Sequence, residues 1–262
     1  MFDKEEKREA VRDRYAEIAQ EAAASDCSAE CGCGEAPLDK SVVSVMLGYE
    51  QDDLENTPDE ANMGLGCGNP LAIAALKDGE TVLDLGSGGG FDCFLARRQV
   101  GETGYVIGVD MTPDMIRLAR DNAKKSGFDN LEFRLGEIEH LPVADGCVDV
   151  LISNCVINLS PDKEQVFKEA FRVLRPGGRL SVSDVVATAE IPQHIVDDLK
   201  MISSCIGGAE QVKVIHSMLE NAGFNDIRMT PKDNSDQIVG AWAPGYSIEK
   251  YIASYIIEAV KQ

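Results

Sequence analysis

Along the chain, short apolar runs closed by glycine or an acid alternate with stretches whose apolar residues return at helical spacing. Thr81 to Leu85 is such a run, and its unbroken apolarity predicts a strand buried on both faces. Phe91 to Val100 then predicts a helix with Phe91, Phe94 and Leu95 toward the sheet, and Gly104 to Asp110 a second strand. Thr112 as N-cap, Pro113 at the first helical position and Gly127 at the end mark the next helix. Leu131 to Leu135 and Val148 to Ser153 predict the third and fourth strands. Asp162 to Leu174 reads as a helix stopped by Arg175-Pro-Gly-Gly178, and Arg179 to Val185 as the fifth strand. Beyond Val186 helices are expected over Gln193 to Ser204 and Val212 to Ala222, with strands around Phe224 to Thr230 and Ser254 to Val260. The N-terminus is helical, and Pro70 to Lys77 reads as a short helix before the first strand. Strand and helix alternating in this way give an α/β fold built on a doubly wound, mostly parallel seven-stranded sheet. Three regions are expected: 1–60, a helix and a mobile cysteine-containing loop; 61–185, the main sheet domain; and 186–262, a C-terminal region that completes the sheet.

The chemistry concentrates where the first strand ends, in Leu83-Asp-Leu-Gly-Ser-Gly-Gly-Gly90. Gly86, Gly88 and Gly90 free the main chain for conformations closed to other residues and let a ligand approach it. The dinucleotide fingerprint wants a third glycine where Phe91 stands, and the carboxylate of Asp84 beside the loop disfavours a phosphate and suits a cation. Asp110, at the end of the second strand, stands where an acid can hold both ribose hydroxyls of a nucleoside. Ile138 can lie against an adenine ring, and Asn154 with Cys155 follows the fourth strand, at the carboxyl edge where open α/β sheets bind ligands.

Composition narrows the partners. Twenty-five basic against 45 acidic side chains leave a formal charge of -20, which repels nucleic acid and anionic membranes and points to a small substrate. Met1 to Gln20 is charged throughout and no 18-residue apolar run follows, so the expected location is the cytoplasm. Eight cysteines in a reducing compartment do not suggest a disulfide framework. Cys27 to Cys31 has zinc-pair spacing, but Cys31-Gly-Cys33 is too short and no second pair or histidine lies near. Cys67, flanked by Gly66 and Gly68, reads as a thiol presented with little steric cover, whereas Cys93 and Cys147 read as packing or incidental. His140, His194 and His216 are dispersed, so no histidine base is expected, and Trp242 reads as packing with a substrate-facing role open.

Asn62-Met-Gly-Leu-Gly-Cys-Gly-Asn-Pro70, Leu83-Asp-Leu-Gly-Ser-Gly88, Gly108-Val-Asp-Met-Thr112, Ser153-Asn-Cys-Val-Ile-Asn-Leu159, Ser183-Asp184 and Cys205-Ile-Gly-Gly-Ala209 together resemble the arsenite S-adenosylmethionine methyltransferases, over roughly 40–262. The resemblance implies a class I methyltransferase, Rossmann-like fold. It implies cofactor contacts from Asp84, Gly86, Ser87, Gly88, Asp110, Met111, Glu137, Ile138 and Asn154, and trivalent arsenic held by Cys67, Cys155 and Cys205. It also implies an N-terminal cysteine in the first methylation and the redox cycle, with Cys31 and Cys33, or Cys27, as candidates. A thiol reductant of thioredoxin or glutathione type would complete that cycle, with arsenite and methylated trivalent arsenicals as substrates and detoxification as the outcome. The chain resembles the short microbial form, without the long cysteine-rich C-terminal extension. Two other readings stay open: a methyltransferase of some other small molecule, and a thiol-rich metalloid-binding protein without turnover.

Overall fold

The computed structural model describes residues 2–24, 39–240, 242–243 and 245–262, so Cys27, Cys31 and Cys33 lie outside the described residues. Its sheet consists of β1 (Thr81–Leu85), β2 (Tyr105–Asp110), β3 (Leu131–Leu135), β4 (Val148–Asn154), β5 (Leu174–Ala187), β6 (Asn225–Pro231) and β7 (Ile252–Val260). The strand order is β3-β2-β1-β4-β5-β7-β6, parallel from β3 to β5, with β7 antiparallel to both β5 and β6. The expected doubly wound, mostly parallel seven-stranded sheet is therefore present. From β1 the chain winds outward to β3, then returns to place β4 on the other flank of β1. That reversal is the switch point where such sheets open a crevice at their carboxyl ends.

The helices are α1 (Lys4–Ala24), α2 (Lys40–Leu47), α3 (Gln51–Glu55), α4 (Leu71–Ala74), α5 (Phe91–Val100), α6 (Pro113–Ser126), α7 (Lys163–Val173), α8 (Gln193–Val196), α9 (Leu199–Ile202), α10 (Val212–Ala222) and α11 (Ser235–Gly240). Alternate residues of each strand face opposite layers. Val82, Val106 and Val150 pack in one core with Phe94 and Ala96 of α5 and Ile116 and Ala119 of α6. Leu83, Ile107 and Leu151 pack in the other with Val166 and Phe167 of α7 and Ile215 and Leu219 of α10.

Three expectations from sequence change at this level. The helix expected over Gln193 to Ser204 is two short ones, because the Asp198 carboxylate accepts from the Lys200 amide and caps a fresh start. The helix expected over Pro70 to Lys77 stops at Ala74, where Ala75 turns left-handed (φ 45°) and Arg179 takes the Ala74 and Ala75 carbonyls. Arg175 to Gly178 is a bulge within β5: Leu174 pairs with Val148, and pairing resumes at Arg179 with Val150.

Candidate active site

A cavity of about 300 Å³ opens at the switch point, lined by the ends of β1, β2 and β4, by Met63 to Gly66, by Ser203 to Cys205 and by one face of α1. The half at the ends of β1 and β2 is built largely from backbone. After β1 the chain turns back so that the Gly86 and Ser87 amides both donate to the Val109 carbonyl. Gly86 adopts φ 68°, and a Cβ there would stand 2.5 Å from Val156, so glycine is required twice over. The Gly88 amide donates to Asp110 Oδ2 (3.0 Å) and the Thr112 amide to Asp110 Oδ1 (2.8 Å), which fixes that carboxylate at the cavity wall. Burial holds Asp110 above the usual carboxylate range, and these amides pull the other way.

Three carboxylates face the cavity without an ion pair among the described residues: Asp84, Asp92 and Asp110. Asp84 is 3% exposed; burial pushes it well up, the Asp92 charge adds to the push, and the Cys93 thiol donates to it at 3.3 Å. Asp92 is pushed up to about 6 by burial, although it accepts from Tyr49 Oη (2.6 Å). A cation entering this half relieves both the desolvation and the mutual repulsion.

The other half is a cluster of thiols. Cys155, just past β4, and Cys205, just past α9, are both buried, and the Cys205 thiol donates to the Cys155 carbonyl at 2.8 Å. Cys155 lies against both other thiols: burial pushes it well up, and hydrogen bonding and repulsion from Cys205 and Cys67 add to that. For Cys205 the Cys155 hydrogen bond pulls down, but burial and the charges of Asp184 and Cys67 outweigh it. Cys155 and Cys205 take left-handed backbone, φ 59° and 64°, two of only five non-glycine residues with positive φ among those described. Such a conformation costs a side-chain-bearing residue ~1–2 kcal/mol. Cys205 closes the last turn of α9, where the Ile206 amide reaches back to the Met201 carbonyl, a place that glycine fills without strain. Backbone strain of this kind persists only where the surrounding structure holds it in place, and here it falls at two thiols of one cavity.

Cys67 corrects the sequence reading in one respect, for its thiol is fully buried rather than presented. The flanking glycines let the loop press inward instead of leaving the thiol bare. A Cβ at Gly66 would stand 2.7 Å from the Asn154 amide, and one at Gly68 would fall onto the Ser183 hydroxyl. The loop is stitched down by the Cys67 amide to Asn154 Oδ1 (3.0 Å) and by Ser254 Oγ to the Cys67 carbonyl (2.8 Å). The Cys67 and Cys155 sulfurs and one Asp184 oxygen lie within 4.8 Å of one another. Asp184, however, already accepts from the Ile157, Asn158 and Val185 amides and from Asn158 Nδ2, which fills its lone pairs and makes it the brace of the turn after Cys155.

Of the other residues singled out from sequence, Ser87, Met111, Ile138 and Asn154 line the cavity, as does Trp242. Glu137 does not; its carboxylate pairs with Arg8 (3.7 Å) and Arg12 (3.8 Å) of α1. Cys147 donates to the Ala144 carbonyl away from the site, and none of the three histidines lines the cavity. Sequence reasoning missed α1 as a wall. Arg8, Arg14, Tyr15 and Ile18 line the cavity, and the repeat Val11, Tyr15, Ile18, Ala22 in an otherwise charged helix is the signal that exposes such a face. Burial, followed by the nearby thiols Cys205 and Cys155, pushes the Tyr15 phenol well up.

Comparison with known proteins finds relatives of this chain. A family model described as a methyltransferase domain matches residues 76–223. An arsenite methyltransferase of Halobacterium salinarum is 50% identical over 99% of this chain and 68% of its own length. The human arsenite methyltransferase is 38% identical over 68% of this chain, which spans 50% of that protein. Among solved structures, an arsenic(III) S-adenosylmethionine methyltransferase from Chlamydomonas reinhardtii superposes with a TM-score of 0.64 at 32% identity, covering 87% of this chain and 75% of that one. With half its residues shared with one arsenite methyltransferase across nearly its whole length, and the fold of another, this chain belongs to the arsenite methyltransferase family of S-adenosylmethionine-dependent enzymes.

Proposed function

We propose that this protein methylates trivalent arsenic, first as arsenite and then as methylarsenite, with the metalloid held by Cys67, Cys155 and Cys205. The observation that carries the reading is the meeting of three buried thiols from three separate loops: Cys155 and Cys205 line the cavity that also holds Asp110 and the glycine turn, and Cys67 lies against Cys155. Trivalent arsenic is soft, takes three ligands and keeps a lone pair, so three sulfurs on one side suit it. Each ligand exchange is balanced: a thiol hydrogen leaves with an arsenic hydroxyl as water, and three exchanges convert arsenite into a trithiolate. Buried thiols can therefore enter protonated, and no general base is required.

The residues of the other half fit the cofactor. The Ser87 hydroxyl is buried at the cavity wall with no hydrogen-bond partner among the described residues, and three carboxylates without an ion pair there surround the space. Asp110 would hold the ribose, Ile138 the adenine face, and Asp84 with Asp92 the cationic end. When bound there, S-adenosylmethionine would supply an electrophilic methyl to the arsenic lone pair, its sulfonium becoming a neutral thioether. What the chain contributes is positioning, fixing the thiol side against the carboxylate side. Arsenic gains a carbon bond and becomes formally pentavalent, and two thiols return it to the trivalent state by giving up two electrons as they join in a disulfide. A thioredoxin- or glutathione-type reductant would then reopen that disulfide, with an N-terminal cysteine as one of the partners. Detoxification of arsenic is the physiological role this chemistry serves.

The direct test incubates the purified protein with arsenite, methyl-labelled cofactor and excess thiol, then separates the arsenicals. Label in methylated arsenic is expected. Label elsewhere, or tight arsenite binding without turnover, would replace this reading with one of its rivals.

A further inference from the structure

α1 lies outside the matched methyltransferase region, yet it spans both halves of the cavity. On the nucleoside side Arg8 and Arg12 reach Glu137, and Gln20 reaches Asp114 at 3.5 Å. On the thiol side Arg14 Nη1 donates to Ser204 Oγ at 2.6 Å and also reaches Ser203 Oγ (3.4 Å) and the Lys200 carbonyl (3.5 Å). Ser203 and Ser204 form the turn that delivers Cys205 in its strained left-handed conformation, and both hydroxyls also donate to the Lys200 carbonyl. One guanidinium thus gathers the acceptors of the turn immediately before Cys205, and Arg14 itself lines the cavity.

We infer that Arg14 is a positioning residue of the metalloid site: from a helix outside the methyltransferase core, it locks the Ser203-Ser204 turn so that the Cys205 sulfur points at Cys155. The Nη1 group of Arg14 alone serves three acceptors of this turn, the Lys200 carbonyl and the Ser203 and Ser204 hydroxyls, so the turn is tied to α1 at a single point. Because the helix carrying Arg14 also touches the nucleoside side, docking of α1 assembles the last thiol at the same time as it closes over the cofactor space. The inference rests on the reading that Cys205 ligates arsenic.

The test compares arsenite affinity, followed by sulfur-to-arsenic charge-transfer absorbance, with the thermal shift given by S-adenosylmethionine, in full-length variants. Arg14→Gln is expected to weaken arsenite binding about tenfold or more while leaving the cofactor shift unchanged, and Arg14→Lys to restore part of the loss. Ser204→Ala, which removes the acceptor without touching α1, is expected to weaken arsenite binding in the same selective way and to a smaller degree. Arg12→Gln, which removes a charge from the same helix, should change arsenite affinity by less than twofold. If Arg14→Gln depresses both readouts equally, Arg14 only docks the helix and the inference falls. It also falls if Arg14→Gln leaves arsenite affinity intact. Cys205→Ser separates the layers: unchanged arsenite binding there overturns the thiol assignment and the inference with it, whereas a loss there beside an unaffected Arg14→Gln overturns the inference alone.

Discussion

The two halves of the cavity are assembled by opposite strategies. The nucleoside half is local: Asp84, the glycine turn and Asp110 sit at the ends of two adjacent parallel strands, and amide donors from Gly88 and Thr112 set the key carboxylate. The thiol half is long-range: Cys67, Cys155 and Cys205 come from separate loops, each pinned by contacts distant in sequence, such as Cys67 to Asn154 and Cys205 to Cys155. The local half carries its strain as desolvated carboxylates, the distant half as left-handed backbone at two cysteines. A site built within two consecutive strands and the turn between them tolerates changes elsewhere, whereas one drawn from three loops depends on every brace that aims a sulfur.

The largest expected effect lies in the thiol half. Cys155→Ser is expected to abolish methylation of both arsenite and methylarsenite, a loss of roughly a hundredfold or more, the scale of a misplaced reactant. Methylarsenite has only two exchangeable positions, so one thiol becomes dispensable in the second round. Cys67→Ser should therefore lose arsenite methylation yet keep methylarsenite methylation, while Cys205→Ser loses both. Assays of the three variants on both substrates under excess thiol decide this. A Cys155→Ser enzyme that still methylates methylarsenite at near the parental rate would remove the contrast between core and dispensable thiols.

On the nucleoside side the expected change is in binding. At a hundredfold excess over its dissociation constant, a ligand stabilises the native state by ~2.7 kcal/mol. S-adenosylmethionine should give a thermal shift on that scale, and Asp110→Ala should remove most of it. Equal stabilisation by a nicotinamide dinucleotide would mean that the glycine turn binds pyrophosphate after all.

The pH dependence isolates the desolvation of the carboxylates. Asp92 is pushed up to about 6 in the folded protein, so the fold favours its protonated form. Its contribution is present in full below the ordinary carboxylate range and is lost as pH rises through about 6. The cofactor-free protein should therefore melt higher at pH 5.5 than at pH 8, and Asp92→Asn should shrink that difference by ~2–3 °C. At pH 5.5 only about half a pH unit below the folded value is sampled, ~0.8 kcal/mol, and a chain of this length shifts by ~2–4 °C per kcal/mol. An unchanged difference in the variant would place the pH dependence elsewhere.

A smaller effect tests the backbone strain at Cys205. In ordinary structure a change to glycine costs more than one to alanine; at φ 64° the order should reverse, with Cys205→Gly more stable than Cys205→Ala by ~1 kcal/mol and neither active. Chemical denaturation of the two variants gives the answer.

How much of the molecule is legible in the sequence follows the same division. The strand-glycine-acid pattern announces the nucleoside half because strand, turn and carboxylate are neighbours in the chain, and the alternation of elements carries the sheet. As one ligand set the three cysteines are legible only through the resemblance of their motifs to a family, since no spacing rule links residues on loops so far apart. The burial of Cys67 is hidden because flanking glycines read as exposure until Asn154 and Ser183 are seen pressed against them. The break between α8 and α9 turns on one capping carboxylate, Asp198, inside an otherwise helical stretch. Arg14 looks like a surface residue of a charged helix, because only the tertiary docking of α1 gives it a cavity to face.

The most direct measurement of the central claim is the number of sulfur neighbours around bound arsenic, read by X-ray absorption at the arsenic edge. In the parent protein loaded with arsenite the account predicts three sulfurs and no remaining oxygen, and in Cys67→Ser two sulfurs and one oxygen. Two sulfurs in both proteins, or an unchanged three in the variant, would contradict it.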